Sequence, residues 1–486
     1  MVYLNVIKSN GQLNIKFTKL NPMRTNFPKI LPFLLLFGGL IIVQGCKKDL
    51  PDEKNTSSKL TSEYGSEVPY EYYELFLEID RYSPGYRPPA AARMLAYVGI
   101  AAYESVVAGM SEYNSLAPNF PGLILPVVDA NAEYHWPSAM NACLSSIFKQ
   151  FYPHVRQSDI AKINALESKF ANRYSSEVEK DVIDRSINYG RQVADAVFNY
   201  SRTDVAGHEA FRDPRPSSYV PPTTGPNGEE LWQPTYPDYT PALFPYWGQV
   251  RSFALKESDK VARPPIPYST EPGSRFYQQA METKAWVDQA QHEDRWIAEF
   301  WSDDIFELTF EPAARQIALA NQLVAEDKIN LARAAELYAK MGMAIADAGI
   351  AVWNSKYLYN VIRPITYIRK YIDPNWKTIL NNPLANVHGI TPEFPAYPSG
   401  HSGFGGAGAS ILVDMFGNTR QFTDKCHFDR VEFLGSPRTY NELSQIGAEN
   451  AFSRLPLGVH FRMDCDEGLR LGQLAARRVI ELPWKK

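Results

Sequence analysis

A chain of 486 residues exceeds one average domain, and with 45% hydrophobic and 21% charged residues it has the material for a sizeable buried core. Its formal net charge of −4 comes with no basic stripe, which excludes nucleic acid as the expected partner.

The first apolar run, 30–43, is about 14 residues, short of the ~20 that a spanning helix needs, and Arg24 and Lys29 precede it. A basic flank, a short apolar core and a small-residue exit describe a signal peptide over 1–45. The exit, Gln44-Gly45-Cys46 followed by Lys47-Lys48, resembles a bacterial lipobox and makes Cys46 the expected lipidated residue. An ordinary secretory signal with an incidental cysteine is the alternative. Met1 and Met23 are both candidate starts, since 1–22 add nothing a signal needs. The polar stretch 46–67 reads as a tether. No later segment is long and apolar enough to span a bilayer, so a lipid at Cys46 is the only membrane link expected. The expected location is the bacterial cell envelope, on the outer-membrane or periplasmic face or at the cell surface. Cys143, Cys426 and Cys465 have no metal-type spacing, and a Cys426–Cys465 disulfide and buried thiols both stay open.

From Pro88 the pattern turns helical, with Met94, Leu95, Val98, Ala101, Ala102 and Val106 on a 3.6-residue period. Helices follow over 136–151 and, in two pieces broken near Ser175, over 158–201 with Ser158-Asp159 as the cap. The stretch 211–272 is rich in Pro, Tyr and Trp, which excludes long helices and predicts an ordered excursion. Its aromatics either pin that loop to the helices or wall a substrate entrance. Helices resume over 273–301, 312–325 and 330–354, the last leading into Lys356. Strand signals are scarce, so the expected fold is a single all-α domain over 68–486, with its motif-bearing core at 353–464.

That core holds three polar clusters: Lys356 with Arg363-Pro364, then Pro398-Ser399-Gly400-His401, then Ser453-Arg454 with His460 and Asp464. Two histidines, three fixed cations, a hydroxyl and a carboxylate are the inventory for holding a tetrahedral oxyanion and reacting on it. Helical spacing would put Trp353, Lys356 and Arg363 on one face, with Pro364 ending or kinking the helix. Ser399 is the expected N-cap of a Gly-rich helix whose first amides point at the anion, with His401 at its mouth. Arg454 adds a bidentate donor, and Asp464, four residues after His460, is placed to hold one ring nitrogen and leave the other free.

The pattern K-x(6)-R-P, P-S-G-H and S-R-x(5)-H-x(3)-D resembles the signature shared by the type-2 phosphatidic acid phosphatase superfamily and the vanadium-dependent haloperoxidases, with every motif position present in order. The resemblance covers the C-terminal quarter to third of the chain and implies a large helical bundle of the vanadium haloperoxidase and acid phosphatase type. It implies vanadate as cofactor, bound covalently through His460. Lys356, Arg363, Ser399, Gly400 and Arg454 would hold its oxygens, His401 would act as acid and base, and Asp464 would orient His460. Trp353 and Phe394 match positions where these haloperoxidases carry aromatic pocket residues. The implied reactants are hydrogen peroxide and halide, giving hypohalous acid. Iodide, the easiest halide to oxidise, is expected first and bromide second, with a small organic acceptor downstream. Phosphate is expected in the same site when vanadate is absent.

A phosphatase of the same superfamily, attacking phosphorus with His460 through a phosphohistidine while His401 protonates the leaving oxygen, is the alternative chemistry. A non-catalytic glycan-binding surface lipoprotein is more distant, because a binding module has no use for an oxyanion cage. The run Gly403 to Gly408 fits a dinucleotide fingerprint in letters only, since Phe394-Pro395-Ala396-Tyr397-Pro398 cannot be a central strand. Its glycines are expected to serve close helix packing. Asp303-Asp304 reads as a solvated turn, and His135, His154, His208, His292, His388 and His427 as hydrogen-bonded surface residues. The sequence carries no signal for oligomeric state.

Overall fold

The computed structural model describes the strands Asn5–Ser9 and Gln12–Lys16, which pair antiparallel, and residues 58–486 apart from Asp304. The chain divides into two compact units, Met1–Thr56 and Ser57–Lys486. The apolar run 30–43, Cys46 and the tether up to residue 57 lie outside the described residues.

The second unit is built from helices, as the composition and periodicity imply. Its N-terminal part holds α1 (Glu67–Asp80), α2 (Ala90–Glu104), α3 (Trp136–Phe151), α4 (Gln157–Tyr174), α5 (Lys180–Arg202) and the single turn α6 (Val205–His208). After the excursion come α7 (Arg275–Asp288), α8 (His292–Phe300), α9 (Pro312–Asp327), α10 (Leu331–Tyr359), α11 (Pro364–Tyr371), α12 (Gly400–Phe416), α13 (Ser444–Phe452) and α14 (Arg462–Ile480). Two short antiparallel pairs, Asn381–Asn382 with Val387–His388 and Phe422–Asp424 with Arg438–Tyr440, are the strands of this unit among the described residues. No described helix is long and apolar enough to cross a membrane.

Several boundaries differ from expectation for identifiable reasons. Helix α1 precedes Pro88, because Val68, Tyr72, Tyr73, Phe76 and Ile79 form a buried stripe between exposed glutamates. Residues 58–66, the end of the expected tether, are anchored instead: Thr61 is fully buried and donates to the Val106 carbonyl, and Tyr64 O accepts from Leu331 N. Helix α4 starts at Gln157 after an Arg156 cap, one residue before the expected start. The stretch 273–301 is two helices, α7 and α8.

The buried core runs around α10, which is enclosed along nearly all its length, from Leu331 to Lys356. Ala, Gly and Met along α10 let α2 and α12 approach it closely. Helices α12 and α14 pack with almost no side chain between them. A Cβ on Gly468 or Gly472 would collide with the carbonyl oxygens of Ser399 and Gly403. The glycines of the false fingerprint serve the same packing, since a Cβ on Gly406 would stand 2.6 Å from Leu469 O and one on Gly403 2.8 Å from the Val352 side chain.

The excursion 211–272 is pinned to α10 by a buried carboxylate. Asp347 accepts from the amides of Phe253 (2.7 Å), Ala254 (2.7 Å) and Leu255 (2.9 Å), and burial pushes its pKa up to about 6. Cys143, Cys426 and Cys465 are free thiols.

Candidate active site

The three clusters meet at one end of α10. Lys356 lies in the last turn of α10, which stops at Tyr359 because Asn360 takes a left-handed conformation (φ 46°). Arg363 is therefore on no helix with Lys356. It is the residue before α11, and Pro364 opens that helix instead of ending one, as proline at the first helical position does. The side chains converge nonetheless, because the chain turns back between the two helices. Lys356 Nζ donates to Pro395 O (2.8 Å) and Ala396 O (3.1 Å). Arg363 Nε donates to Phe394 O (2.8 Å), and its Nη1 to Val459 O (2.8 Å).

Ser399 caps α12 as its sequence predicts, its hydroxyl accepting from Ser402 N (3.3 Å). Ser399 N donates to Asp464 O (2.9 Å), which ties the second cluster to the third. Gly400 follows because a Cβ there would stand 3.2 Å from the Trp353 ring, so the helix start sits directly against that indole. Trp353 and Phe394 are neighbours, with ring centroids 5.0 Å apart, and Phe394 lies under Lys356 (4.7 Å) and Arg363 (5.0 Å).

His460 Nδ1 is 3.0 Å from Asp464 Oδ2. The pair is not one turn of a continuous helix: α14 begins at Arg462, and Asp464 caps it by accepting from Phe461 N (2.9 Å). Arg363 Nη1 stands 3.2 Å from His460 Nε2. A guanidinium can only donate, so Nε2 is the acceptor and the ring proton sits on Nδ1, facing Asp464. Arg454 Nη1 donates to Trp301 O (3.2 Å). Lys356, Arg363, Ser399 and Arg454 are fully buried, and His401 and His460 nearly so.

The electrostatics follow from this crowding. Burial, then Arg363, Lys356, Arg454 and His401, push the His460 imidazole well below its ordinary pKa, so it is neutral with a lone pair on Nε2. Burial and Arg363, with Arg454, also hold Lys356 well below the usual lysine range, against the opposing pull of Asp464. Burial pushes Asp464 up to about 7, although the Phe461 amide and the two cations draw it down. Three cationic side chains crowded together, a helix N-terminus and a neutral imidazole form a donor set suited to a tetrahedral oxyanion. Among the described residues no group of three His, Cys, Asp or Glu is placed to hold a metal cation.

A cavity of about 450 Å³ opens at Gly400 and His401, with Trp353, Phe394 and Phe404 in its wall. The aromatics of the excursion pin it to the helices, Tyr219 against Tyr357 (5.3 Å between ring centroids) and Phe253 against Tyr97 (4.9 Å). The part of it that lines this cavity is not aromatic: Pro214, Arg215, Asp238, Thr240 and Leu243, with Leu243 O accepting from Trp353 Nε1 (3.3 Å) and Tyr357 OH (2.6 Å). Asp303 also lines it and corrects the solvated-turn expectation. It is fully buried, 3.6 Å from Arg315 and 3.1 Å from His427 Nε2. Asp304 lies outside the described residues. His427 and His135 are buried, against expectation, whereas His388 is exposed and pairs with Asn386. Arg315 was not singled out from the sequence. Its two aspartates lie 12 and 109 residues away along the chain, a separation that leaves no local signal.

A family model described as the VCPO second helical-bundle domain matches residues 336–483, a span that contains all three clusters. The chain is 24% identical over 521 residues to the vanadium chloroperoxidase of Curvularia inaequalis, covering 86% of this chain and 80% of that protein. It is 30% identical over 129 residues to the vanadium-dependent bromoperoxidase of Ascophyllum nodosum, covering 25% and 23%. A crystal structure described as the first bacterial vanadium-dependent iodoperoxidase superposes with a TM-score of 0.73 at 27% identity, over 86% of this chain and 96% of that one. A holo-type bacterial vanadium-dependent chloroperoxidase shares the fold, with a TM-score of 0.59 at 16% identity over 83% and 95%.

Proposed function

We propose, since this chain belongs to the vanadium haloperoxidase family, that it oxidises halide with hydrogen peroxide to hypohalous acid, using vanadate held at His460. The observation that carries this reading is the convergence of Lys356, Arg363 and Arg454 on a buried, neutral His460 at the end of an aromatic-lined cavity. Likeness to an iodoperoxidase over most of both chains supports iodide as the first halide to test, followed by bromide.

The residues divide the work by their chemistry. His460 offers the Nε2 lone pair as the single protein ligand, and Asp464 keeps the proton on Nδ1 so that this lone pair stays available. Lys356, Arg363 and Arg454 balance the charge of the oxyanion. Ser399 keeps its own hydroxyl proton to donate, since its oxygen already accepts from Ser402. The amides at the start of α12, near Gly400, supply further donors. His401, at the cavity end of the site, is placed to take a proton from incoming hydrogen peroxide and to return one as hypohalous acid and water leave. Trp353 and Phe394 keep this end of the cavity apolar. Vanadate, when bound, supplies a Lewis-acidic centre that makes the peroxide oxygen electrophilic toward halide.

The same cage accepts phosphate, so the competing chemistry is phosphoester hydrolysis through His460. Purified protein, titrated with vanadate, is assayed for peroxide-dependent iodide oxidation by the colour of triiodide and for hydrolysis of a chromogenic phosphate ester. The expected result is iodide oxidation that rises with vanadate and is lost in His401→Ala. Fast ester hydrolysis inhibited by vanadate, with no iodide oxidation at any vanadate concentration, would replace this reading by the phosphatase. We also propose the lipid anchor at Cys46; Cys46→Ser should yield protein without lipid by mass spectrometry, and a lipid-free wild type would remove that proposal.

A further inference from the structure

The cavity in front of the cage is much larger than the inorganic reactants need. Its volume is about 450 Å³, whereas one water claims about 30 Å³ of liquid, and peroxide or a halide is within a small multiple of that. A volume of this order is typical of pockets for small organic molecules, roughly 300–1,000 Å³. Much of its wall is apolar and flat, with Phe306, Phe394 and Phe404 among the lining residues.

Three polar atoms on lining residues are buried with no hydrogen-bond partner among the described residues: Arg87 Nη1, Thr391 Oγ1 and Asp303 Oδ2. They are a cationic donor, a hydroxyl and an acceptor. Leaving a buried polar group unpaired costs about 1–3 kcal/mol, so a molecule that satisfies all three is held by them. Arg215, the other arginine of the wall, is already engaged by Glu393, its Nε donating at 2.6 Å. Arg87 lies with its guanidinium 5.8 Å from the centre of the Phe306 ring.

We propose that this cavity binds an organic acceptor for the oxidised halogen, and that the acceptor is a phenol carrying a carboxylate. The carboxylate pairs with Arg87, the hydroxyl donates to Asp303 Oδ2 or exchanges a hydrogen bond with Thr391, and the ring lies against the aromatic wall. The chemistry done there rests on the haloperoxidase reading; the binding does not. Hypoiodous acid released beside the ring is attacked by the ring's π electrons. A C–I bond forms as the I–O bond breaks, and the ring carbon's proton joins the departing hydroxide as water.

The test is calorimetric titration of 4-hydroxybenzoate into the purified, vanadate-loaded protein without peroxide or halide. Saturable one-to-one binding is expected, with phenol binding at least about tenfold more weakly because it lacks the charge-assisted contact. Arg87→Gln should erase that preference, and Thr391→Val should weaken 4-hydroxybenzoate by several-fold (about 1 kcal/mol). No saturation, equal affinity for phenol, a preference that survives in Arg87→Gln, or binding seen only in vanadate-free protein would each overturn the proposal, the last by placing the ligand in the cation cage. If Arg87→Gln does not fold, Thr391→Val decides: unchanged affinity overturns it. Iodide oxidation by the same wild-type sample without acceptor reports on the haloperoxidase reading alone. Oxidation without binding removes this inference, and binding without oxidation removes that reading.

Discussion

Two buried clusters in this fold are each built from arginine, histidine and aspartate, and their surroundings push them in opposite directions. Arg315 pairs with Asp424 (2.7 Å) and Asp303 (3.6 Å), contacts His427, and lies against the rings of Phe300 and Trp301. Burial opposes its charge, yet Asp424 and Asp303 raise its pKa above the ordinary value. Arg315 in turn draws Asp424 below the usual carboxylate range, outweighing burial there. Both histidines are pushed down, His427 by burial and Arg315 and His460 by burial and its neighbouring cations. For the other members around His460 the direction is reversed: burial and neighbouring cations push Lys356 down, and burial pushes Asp464 up. In the Arg315 cluster the central cation is balanced by its own aspartates, and the pairing of Arg315 with Asp424 serves the fold, while Asp303 also turns an unpaired Oδ2 to its surroundings. The cluster at His460 is driven toward neutrality and gains from an incoming anion, which is what a binding site needs.

If that contrast is right, breaking the first cluster costs stability. Arg315→Ala leaves Asp424 and Asp303 buried without their cation and should destabilise the protein by about 3–5 kcal/mol in denaturant unfolding. A midpoint unchanged from wild type would mean that the cluster is not structural.

A group outside both clusters shows burial prevailing over the hydrogen bonds that oppose it. Glu104 is buried, accepts from Leu116 N (2.7 Å), and burial pushes its pKa from 4.5 up to about 7. Because the folded pKa lies above the unfolded one, its stabilising contribution is complete below about pH 4.5 and is lost as pH rises through about 7. Stability should therefore fall between pH 5 and pH 8 by an amount on the order of 2–3 kcal/mol from this group. Glu104→Gln should flatten that slope, and an unchanged slope in the variant would refute the assignment.

Asp464→Asn tests the orienting contact within the cage. Loss of the carboxylate should lower vanadate affinity by about 10–100-fold while the fold survives, as measured by equilibrium dialysis. Unaltered affinity would show that His460 needs no partner. A last effect is on thermal stability: phosphate at 100 times its dissociation constant should stabilise the vanadate-free protein by about 2.7 kcal/mol, and Lys356→Met should remove part of that gain. The increment should persist in variants of the exposed His388. A Lys356→Met protein that still gains the full increment would remove Lys356 from the anion site.

Most of the cage was legible in the sequence because its residue types and order are chemically restrictive. Lys356, Arg363, Ser399, His401, Arg454, His460 and Asp464 all come to one end of α10. The geometry behind the convergence was less legible. Seven-residue spacing suggested one helix for Lys356 and Arg363, but the left-handed Asn360 ends α10 and Pro364 starts α11. Likewise His460 and Asp464 meet across a helix cap instead of along a helix. Helix α3 was readable to the residue because its apolar face is strong and Trp136-Pro137 marks its start. Helix α1 was missed because it lies between the tether read to residue 67 and the helical pattern read from Pro88, and its buried stripe alternates with glutamates that weaken the apolar signal. Asp303 looked solvated because burial depends on partners far along the chain, which no local window contains.

The most direct test of the central claim, that the cage is an oxyanion site closed by a bond to His460, is the vanadium content of wild type and His460→Ala after identical loading and desalting. Elemental analysis should find about one vanadium per wild-type chain and a loss of at least about a hundredfold in retention for the variant, exceeding what losing an outer partner costs. The variant's unfolding midpoint should stay close to that of vanadate-free wild type. Stoichiometric vanadium in a folded His460→Ala protein would contradict the account.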